Sequence, residues 1–556
     1  MKAAKDREAD DGLVYPDKGE AALLLIKRAP NIVTAQLRGA WNVVSAHVAS
    51  GATESELHDA LDQFALVVKD VYYALGVCQQ DEAHDKLSLQ VWSRMYDAGL
   101  PDLMQDIIMQ STFWTLPRPI IVNYLFAIHV AVSFSSHLEY APLRPRVLAR
   151  SDTLWAAMWD NRHLIAAWLE VRPAHLGSNS KEIPPVQMLL LYHALYQAEK
   201  IPVTITSRMP HFALYAWATA ECQSERFSAV YACDNGPNHP ATEAERFLRE
   251  VVVGGVGIEA CMARLEEVLR GEEPWQWSRL EDVKECVRIF SVLMRPSTPE
   301  SLALLGSAGQ HCIPHLLTGI ARKYALQDGL RECPIFYHST FLMMDRFTLY
   351  DLATKRFAAE SRPLLISGED IIAMMACAID LMAAHGSDPD LDKDAETTIP
   401  LIESFITVKV EQEHKWAESV QNAPLGSLSK QDTEIIAGYR RGMEKHWWPS
   451  LRAISLAKRR CKTVPEDLVR LGTLWTGFGA LLGRDARREL ERDNKNRASR
   501  CTRLECEFNR KPGDTEKPFM SCKGCRVAYC SRECQVKDWR KGHKNSCKRL
   551  KDGEVN

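Results

Sequence analysis

The sequence predicts a mainly α-helical body followed by a small cysteine-rich module. Three observations carry that expectation. Apolar residues recur at three- and four-residue spacing behind helix-capping signals through most of the chain. Alternating, strand-like segments are scarce. Seven of the sixteen cysteines fall between Cys501 and Cys547. The chain has 556 residues, of which 46% are apolar and 25% charged, an ordinary globular composition with ample material for a core.

The helical elements follow in chain order. Thr53-x-x-Glu56 is a capping box, and Leu57, Leu61, Phe64, Val68, Val71 and Leu75 behind it form one apolar helix face. Ser278-x-x-Glu281 repeats the signal ahead of Leu280, Val283, Val287, Phe290 and Leu293, and Pro296 is placed to stop that helix. Thr463-x-x-Glu466 precedes Leu468, Leu471, Trp475, Phe478 and Leu482. The best strand candidates, Val203–Ile205 and Val251–Val253, are short. Gly177–Pro185, Cys233–Thr242, Gly386–Thr398 and Gln421–Gln431 read as loops by composition. Ala98-Gly-Leu-Pro-Asp-Leu103, and Ile313-Pro-His-Leu-Leu317 after Ala308-Gly309, join helical patterns through Gly and Pro. Such junctions resemble those of armadillo-type repeats. No clean period of about 40 residues is present, so an irregular armadillo-like solenoid and a globular helical body both fit. The divisions read from this are a tail over 1–19, a helical body over 20–490, a basic linker over 491–500, the module over 501–547 and a tail over 548–556.

The body carries no strong catalytic constellation. Gly255-Val-Gly257-Ile-Glu-Ala260 is a loose dinucleotide fingerprint, but both flanks are helical patterns, so it reads as a helix–helix link. Asp388-x-Asp390-x-Asp392 starts like a calcium loop, yet Lys393 stands where the turn needs Gly and Ile399 where Glu belongs. The thirteen body tryptophans, including Trp447-Trp448, read as core or groove fillers. No membrane span is expected: the most apolar stretch, 15 residues from Ile120 to Phe134, contains Asn123 and His129, and a spanning helix needs about 20. The first twelve residues have no apolar signal region, which points to the nucleus or the cytoplasm.

The module is chemically specific. Cys501, Cys506, Cys522, Cys525, Cys530, Cys534, His543 and Cys547 form four pairs, C-x4-C, C-x2-C, C-x3-C and H-x3-C. In a reducing compartment such a cluster reads as a metal site rather than a disulfide framework. Eight thiolate and imidazole ligands make two tetrahedral sites, and that donor set selects zinc. About fifty residues cannot bury a sufficient core, so the metal supplies folding energy. Four protein ligands per site leave no open position, which makes both zinc ions structural. Ser531 suits the N-cap of a helix over 532–541, Gly542 its stop, and Cys534 falls in the first turn, where the helix dipole favours a thiolate. Gln535 and Trp539, four apart, share a face of that helix.

The run Tyr529-Cys530-Ser-Arg-Glu-Cys534-Gln535-x3-Trp539-x3-His543-Lys-x2-Cys547 resembles the signature of a MYND-type zinc finger. A helical body ending in such a finger is also similar to fungal MYND proteins. The resemblance implies one zinc on Cys501, Cys506, Cys530 and Cys534, and a second on Cys522, Cys525, His543 and Cys547. Many members have two residues between the first two cysteines; here there are four. The resemblance further implies a protein-interaction module whose Gln535 and Trp539 grip a proline- and leucine-containing peptide. The competing reading makes Trp539 the module's small core.

Charge agrees with a protein partner. The chain carries −3 overall, but residues 501–556 hold 14 Lys+Arg against 8 Asp+Glu. Seven thiolates and two divalent ions reduce that local +6 to about +3, a modest patch for binding phosphates. The run from Arg484 to Arg500 is interleaved with Asp485, Glu489, Glu491 and Asp493 and reads as a solvated helical linker. The expected function is an interaction adaptor in transcriptional or ubiquitin-linked regulation. Two alternatives stand beside it. One is a SET-type lysine methyltransferase, in which MYND fingers also occur, although there the finger is inserted within the catalytic region and no NHSC-like motif is present here. The other is a nucleic-acid-binding regulator.

Overall fold

In the computed structural model the described residues are 24–80, 92–133, 135, 138–169, 185–205, 207–220, 226, 229–230, 232–233, 240–271, 277–295, 298–325, 334–355, 365–385, 393–424, 428–460, 466–495, 500–503, 506–510, 519–525, 527–544 and 547. Regular structure among them is helical, apart from one two-stranded ladder in the C-terminal module. The chain forms two compact units that divide between Gly257 and Ile258. No described helix is long and apolar enough to cross a membrane.

In the first unit the Thr53–Glu56 capping box forms as read. Thr53 N–H donates to Glu56 Oε2 at 3.1 Å, and Glu56 N–H donates to Thr53 Oγ1 at 3.4 Å, at the start of the helix Glu54–Gln80. Phe64, Val68, Val71 and Leu75 of that helix are buried, and the helices Pro30–Ser50 and Arg118–Ser133 pack on it. Trp41 fills the joint, 5.4 Å from the Phe64 ring and 6.4 Å from Phe113, and its indole N–H donates to Gln110. The Gly-Pro junction also holds: Gly99 turns at φ 72°, and Pro101 sits in the first turn of the helix Leu100–Ile108. Val251–Val253 is not a strand. It lies within a π-helix, Leu248–Val256, which Gly257 ends at φ 96° before the helix Ile258–Arg270 begins. The glycine-rich run is thus a helix–helix link, and the segment carries no strand partner because its backbone bonds are already made along the chain.

In the second unit both predicted apolar faces are buried: Val283, Val287, Phe290 and Leu293 on the helix Trp277–Leu293, and Leu468, Leu471, Trp475, Phe478 and Leu482 on and just after the helix Glu466–Leu481. Ser278 is not an N-cap, since the helix already includes Trp277. Thr463, Pro296 and the Asp388–Asp392 run lie outside the described residues. The true capping box here is Thr298 with Ser301, whose side chains and backbone N–H groups exchange bonds of 3.0 and 3.2 Å. At the second Gly-Pro junction Cys312 makes the turn, at φ 55°, and is exposed. Gly309 packs instead: a Cβ there would lie 2.2 Å from a Leu365 methyl.

The centre of this unit is the crossing of the helices Gly368–His385 and Lys430–Arg460. Their backbones touch, since a Cβ on Gly368 would meet the Ile435 carbonyl at 2.2 Å and one on Gly438 would meet Gly368 Cα at 2.9 Å. Beside the crossing a buried polar group is internally satisfied. Lys409 Nζ bridges Asp345 and Glu413 at 3.0 Å each, and the Tyr439 hydroxyl donates to Glu413. Burial opposes the Lys409 charge, but the two carboxylates outweigh it and hold its pKa above the usual value.

Candidate metal centre

The C-terminal module holds a short helix Glu507–Arg510, an antiparallel ladder pairing Met520 with Tyr529 and Ser521 with Ala528, and the helix Arg532–Asp538. Ser531 caps that helix as read, its hydroxyl accepting from Cys534 N–H at 3.2 Å. The helix does not stop at Gly542. It runs into a π turn, Trp539–His543, which carries His543 back toward the ladder.

This backbone gathers all eight predicted ligands into two groups. Cys501, Cys506, Cys530 and Cys534 form one, and Cys522, Cys525, His543 and Cys547 the other, with every ligand atom within 4.8 Å of the rest of its group. Cys506 and Cys530 sulfurs are 3.4 Å apart, Cys530 and Cys534 3.5 Å, and Cys522 and Cys547 3.7 Å. Zn–S bonds of about 2.3 Å at tetrahedral angles set sulfur–sulfur edges of about 3.7 Å, so the spacing fits zinc. A disulfide would need about 2.05 Å, so these sulfurs are not bonded to each other.

The donor chemistry points the same way. Burial and the neighbouring thiols push Cys530 up to about 12, and burial with Cys522 and Cys525 pushes Cys547 to about 12. Cys522 runs the other way: burial raises it, but backbone N–H groups of Cys525 and Gly524 with His543 and Cys547 bring it down to about 6. Thiols this crowded resist becoming thiolates together, and a divalent cation between them removes that resistance.

Around the second group lies a supporting layer. His543 Nε2 is 3.5 Å from Cys525 Sγ, while its Nδ1 faces the buried Asp538 carboxylate at 3.8 Å. The Tyr529 hydroxyl donates to the same carboxylate at 2.6 Å. A carboxylate behind a ligating histidine fixes which ring nitrogen is free for the metal. Tyr529 is fully buried and, with Phe508 and Phe519 packed against the cysteines, forms the module's core. Trp539 is not that core. It is 45% exposed, its ring centroid 5.6 Å from that of His543 and tilted to it by 56°. Gln535 is half-buried on the same helix, and Val536 beside it is exposed.

Two four-ligand groups with interleaved wiring and zinc spacing decide the comparison. Residues 499–547 match the MYND finger family. The chain matches no curated protein and no solved structure. MYND fingers bind zinc and mediate protein–protein interactions, and the two groups here can hold two zinc ions. The four-residue spacing between Cys501 and Cys506 is compatible with this MYND finger, since both reach the same group. Sequence reading missed as supports both Asp538 and Asn509, whose side-chain N–H donates to the Cys501 carbonyl at 2.9 Å, because nothing in ligand spacing marks what stands behind a ligand.

Proposed function

We propose that the protein is a non-enzymatic interaction adaptor, acting in the nucleus or cytoplasm, whose MYND finger recruits a partner through a proline- and leucine-containing segment. The observation that carries this reading is the exposure of Trp539 and Val536 beside Gln535, while Tyr529 fills the finger's core. A flat indole suits a proline ring, Val536 suits a leucine, and Gln535 can bond an extended peptide backbone that is already low in entropy. Arg532, Arg540 and Lys544 around the face are exposed, which favours a segment carrying acidic residues.

A protein partner also fits better than a nucleic acid. The arginines of the helix Ala486–Lys495 are spent on neighbouring carboxylates: Arg487 with Glu491, Arg488 with Asp485 and Arg492 with Glu489. Phosphate binding draws on uncompensated Lys and Arg. The test is titration of the full chain with proline- and leucine-containing peptides. Trp539→Ala should keep its zinc and lose about 2 kcal/mol of binding or more. Unchanged peptide affinity in that variant, with zinc retained, would overturn the assignment.

A further inference from the structure

The MYND finger and the helical part of the second unit share a buried polar joint. Arg452, on the helix Lys430–Arg460, is 13% exposed. Its Nη2 donates to Asn509 Oδ1 at 2.6 Å. Its Nη1 reaches Asp493 Oδ1 at 3.3 Å, and the same oxygen holds Arg500 Nη1 at 2.8 Å. Asn509 is 3% exposed, and its Nδ2 donates to the Cys501 carbonyl at 2.9 Å. Asn509 N–H also donates to the Cys506 carbonyl at 2.8 Å, while Cys501 N–H donates to the Phe508 carbonyl at 2.9 Å.

The buried Asn509 side chain therefore takes a guanidinium on its oxygen and ties down the Cys501 carbonyl through its nitrogen, while the Asn509 backbone N–H holds the Cys506 carbonyl. Its orientation is set by chemistry, because a guanidinium only donates and a carbonyl only accepts. The Arg452 bond is charge-assisted and sheltered from water, which makes it one of the stronger kinds of hydrogen bond. Asp493 pairs with both Arg452 and Arg500, which brings these three side chains into the same joint.

We propose that Arg452 is a positioning residue for the Cys501–Cys506–Cys530–Cys534 site, and that through Asn509 it couples zinc occupancy of that site to the folding of the Lys430–Arg460 helix end. The coupling is reciprocal by linkage: whatever the helix does for the metal, the metal does for the helix. It also gives the finger a fixed seat. Cys534 adjoins Gln535, so a site locked to the helix presents the Gln535–Trp539 face in one orientation.

The test uses the full chain loaded with zinc. In transfer of zinc to a colorimetric chelator, Arg452→Ala should release one equivalent about tenfold faster, as loss of a supporting partner does, and the other at the wild-type rate. In the wild-type protein, stripping zinc should speed amide exchange across residues 447–458, measured by mass spectrometry. In Arg452→Ala that response should vanish. Should Arg452→Ala fail to fold, the wild-type exchange measurement decides alone. Equal release of both equivalents, at the wild-type rate or faster, would overturn the proposal, and so would exchange at 447–458 that ignores zinc.

Discussion

Trp447 and Trp475 hydrogen-bond to each other twice. The Trp447 indole N–H donates to the Trp475 carbonyl at 2.9 Å, and the Trp475 indole N–H donates to the Trp447 carbonyl at 3.2 Å. Both rings are buried. A buried indole N–H without a partner is costly, and each carbonyl has a second lone pair beyond its helical bond. The two helices are thus registered by their own largest side chains. Gly479, one turn beyond Trp475, makes room for this, since a Cβ there would lie 2.0 Å from Trp447 Nε1.

Gly479→Ala should therefore destabilise the second unit, by about 1–3 kcal/mol, as overpacking does. Alanine's better helix propensity returns about 1 kcal/mol at most. The ring cannot slide aside without breaking both bonds. Urea unfolding would measure the change, and a variant as stable as the wild type would show that the pair yields freely.

Gly39 is the control in the first unit. It lies on the exposed side of the helix Pro30–Ser50 with nothing within 4 Å of where a Cβ would stand. Only propensity acts there, so Gly39→Ala should stabilise by about 0.5–1 kcal/mol. A loss of stability in the same unfolding measurement would refute this.

His311 supplies a pH dependence. Its Nδ1 faces Glu266 at 2.6 Å and its Nε2 faces Glu259 at 3.3 Å, while Ser307 donates to Glu259 and Arg270 to Glu266. Burial would lower the imidazole pKa, but the hydrogen bonds and charges of the two carboxylates raise it above 6.5. A folded value above the unfolded one means that the contribution is complete below about 6.5 and is lost as pH rises through the folded value. Glu259 is largely exposed, so solvent screening keeps the effect small. The melting-temperature gap between wild type and His311→Gln should be wider at pH 5.5 than at pH 8.5, and an equal gap would contradict the assignment.

The zinc sites, and the faces that helices bury, were legible because both are local. A ligand pair lies within a few residues of sequence, and the Glu466–Leu481 face repeats every turn. Partners across the fold were not. Periodicity marks Trp475 as buried, but nothing near it names Trp447, 28 residues earlier. The division at Gly257 was equally hidden, since helices flank it on both sides and no composition shift marks it. Val251–Val253 misled because three β-branched residues favour strands in isolation, and only their packing selects a π-helix. Trp539 was ambiguous for a different reason: whether a large aromatic in a small finger is core or surface depends on whether another residue, here Tyr529, already fills the centre.

Metal stoichiometry tests the finger as a whole. Purified protein should carry two zinc ions per chain. Cys530→Ser removes a ligand from the first group and should lower the content to one or none, with loss of finger structure, because the metal is the folding energy. A wild-type content near one would contradict the two-site wiring.

The layer behind the second site gives a separable outcome. Asp538 accepts from Tyr529 and faces His543 Nδ1, leaving Nε2 toward Cys525. Asp538→Asn keeps the shape but removes the negative charge that favours a proton on Nδ1. Zinc affinity at the Cys522–Cys525–His543–Cys547 site should fall about tenfold or more, the usual cost of losing such a partner, while the Cys501 site is unaffected. Tyr529→Phe removes only the phenol's bond, and should cost about 1–3 kcal/mol of finger stability with little change in zinc selectivity between the sites. Competition with a calibrated chelator resolves the two. If Asp538→Asn instead holds both ions as tightly as the wild type, then Asp538 serves Tyr529 and the core alone, and the histidine is oriented by its ring contacts with Tyr529 and Trp539.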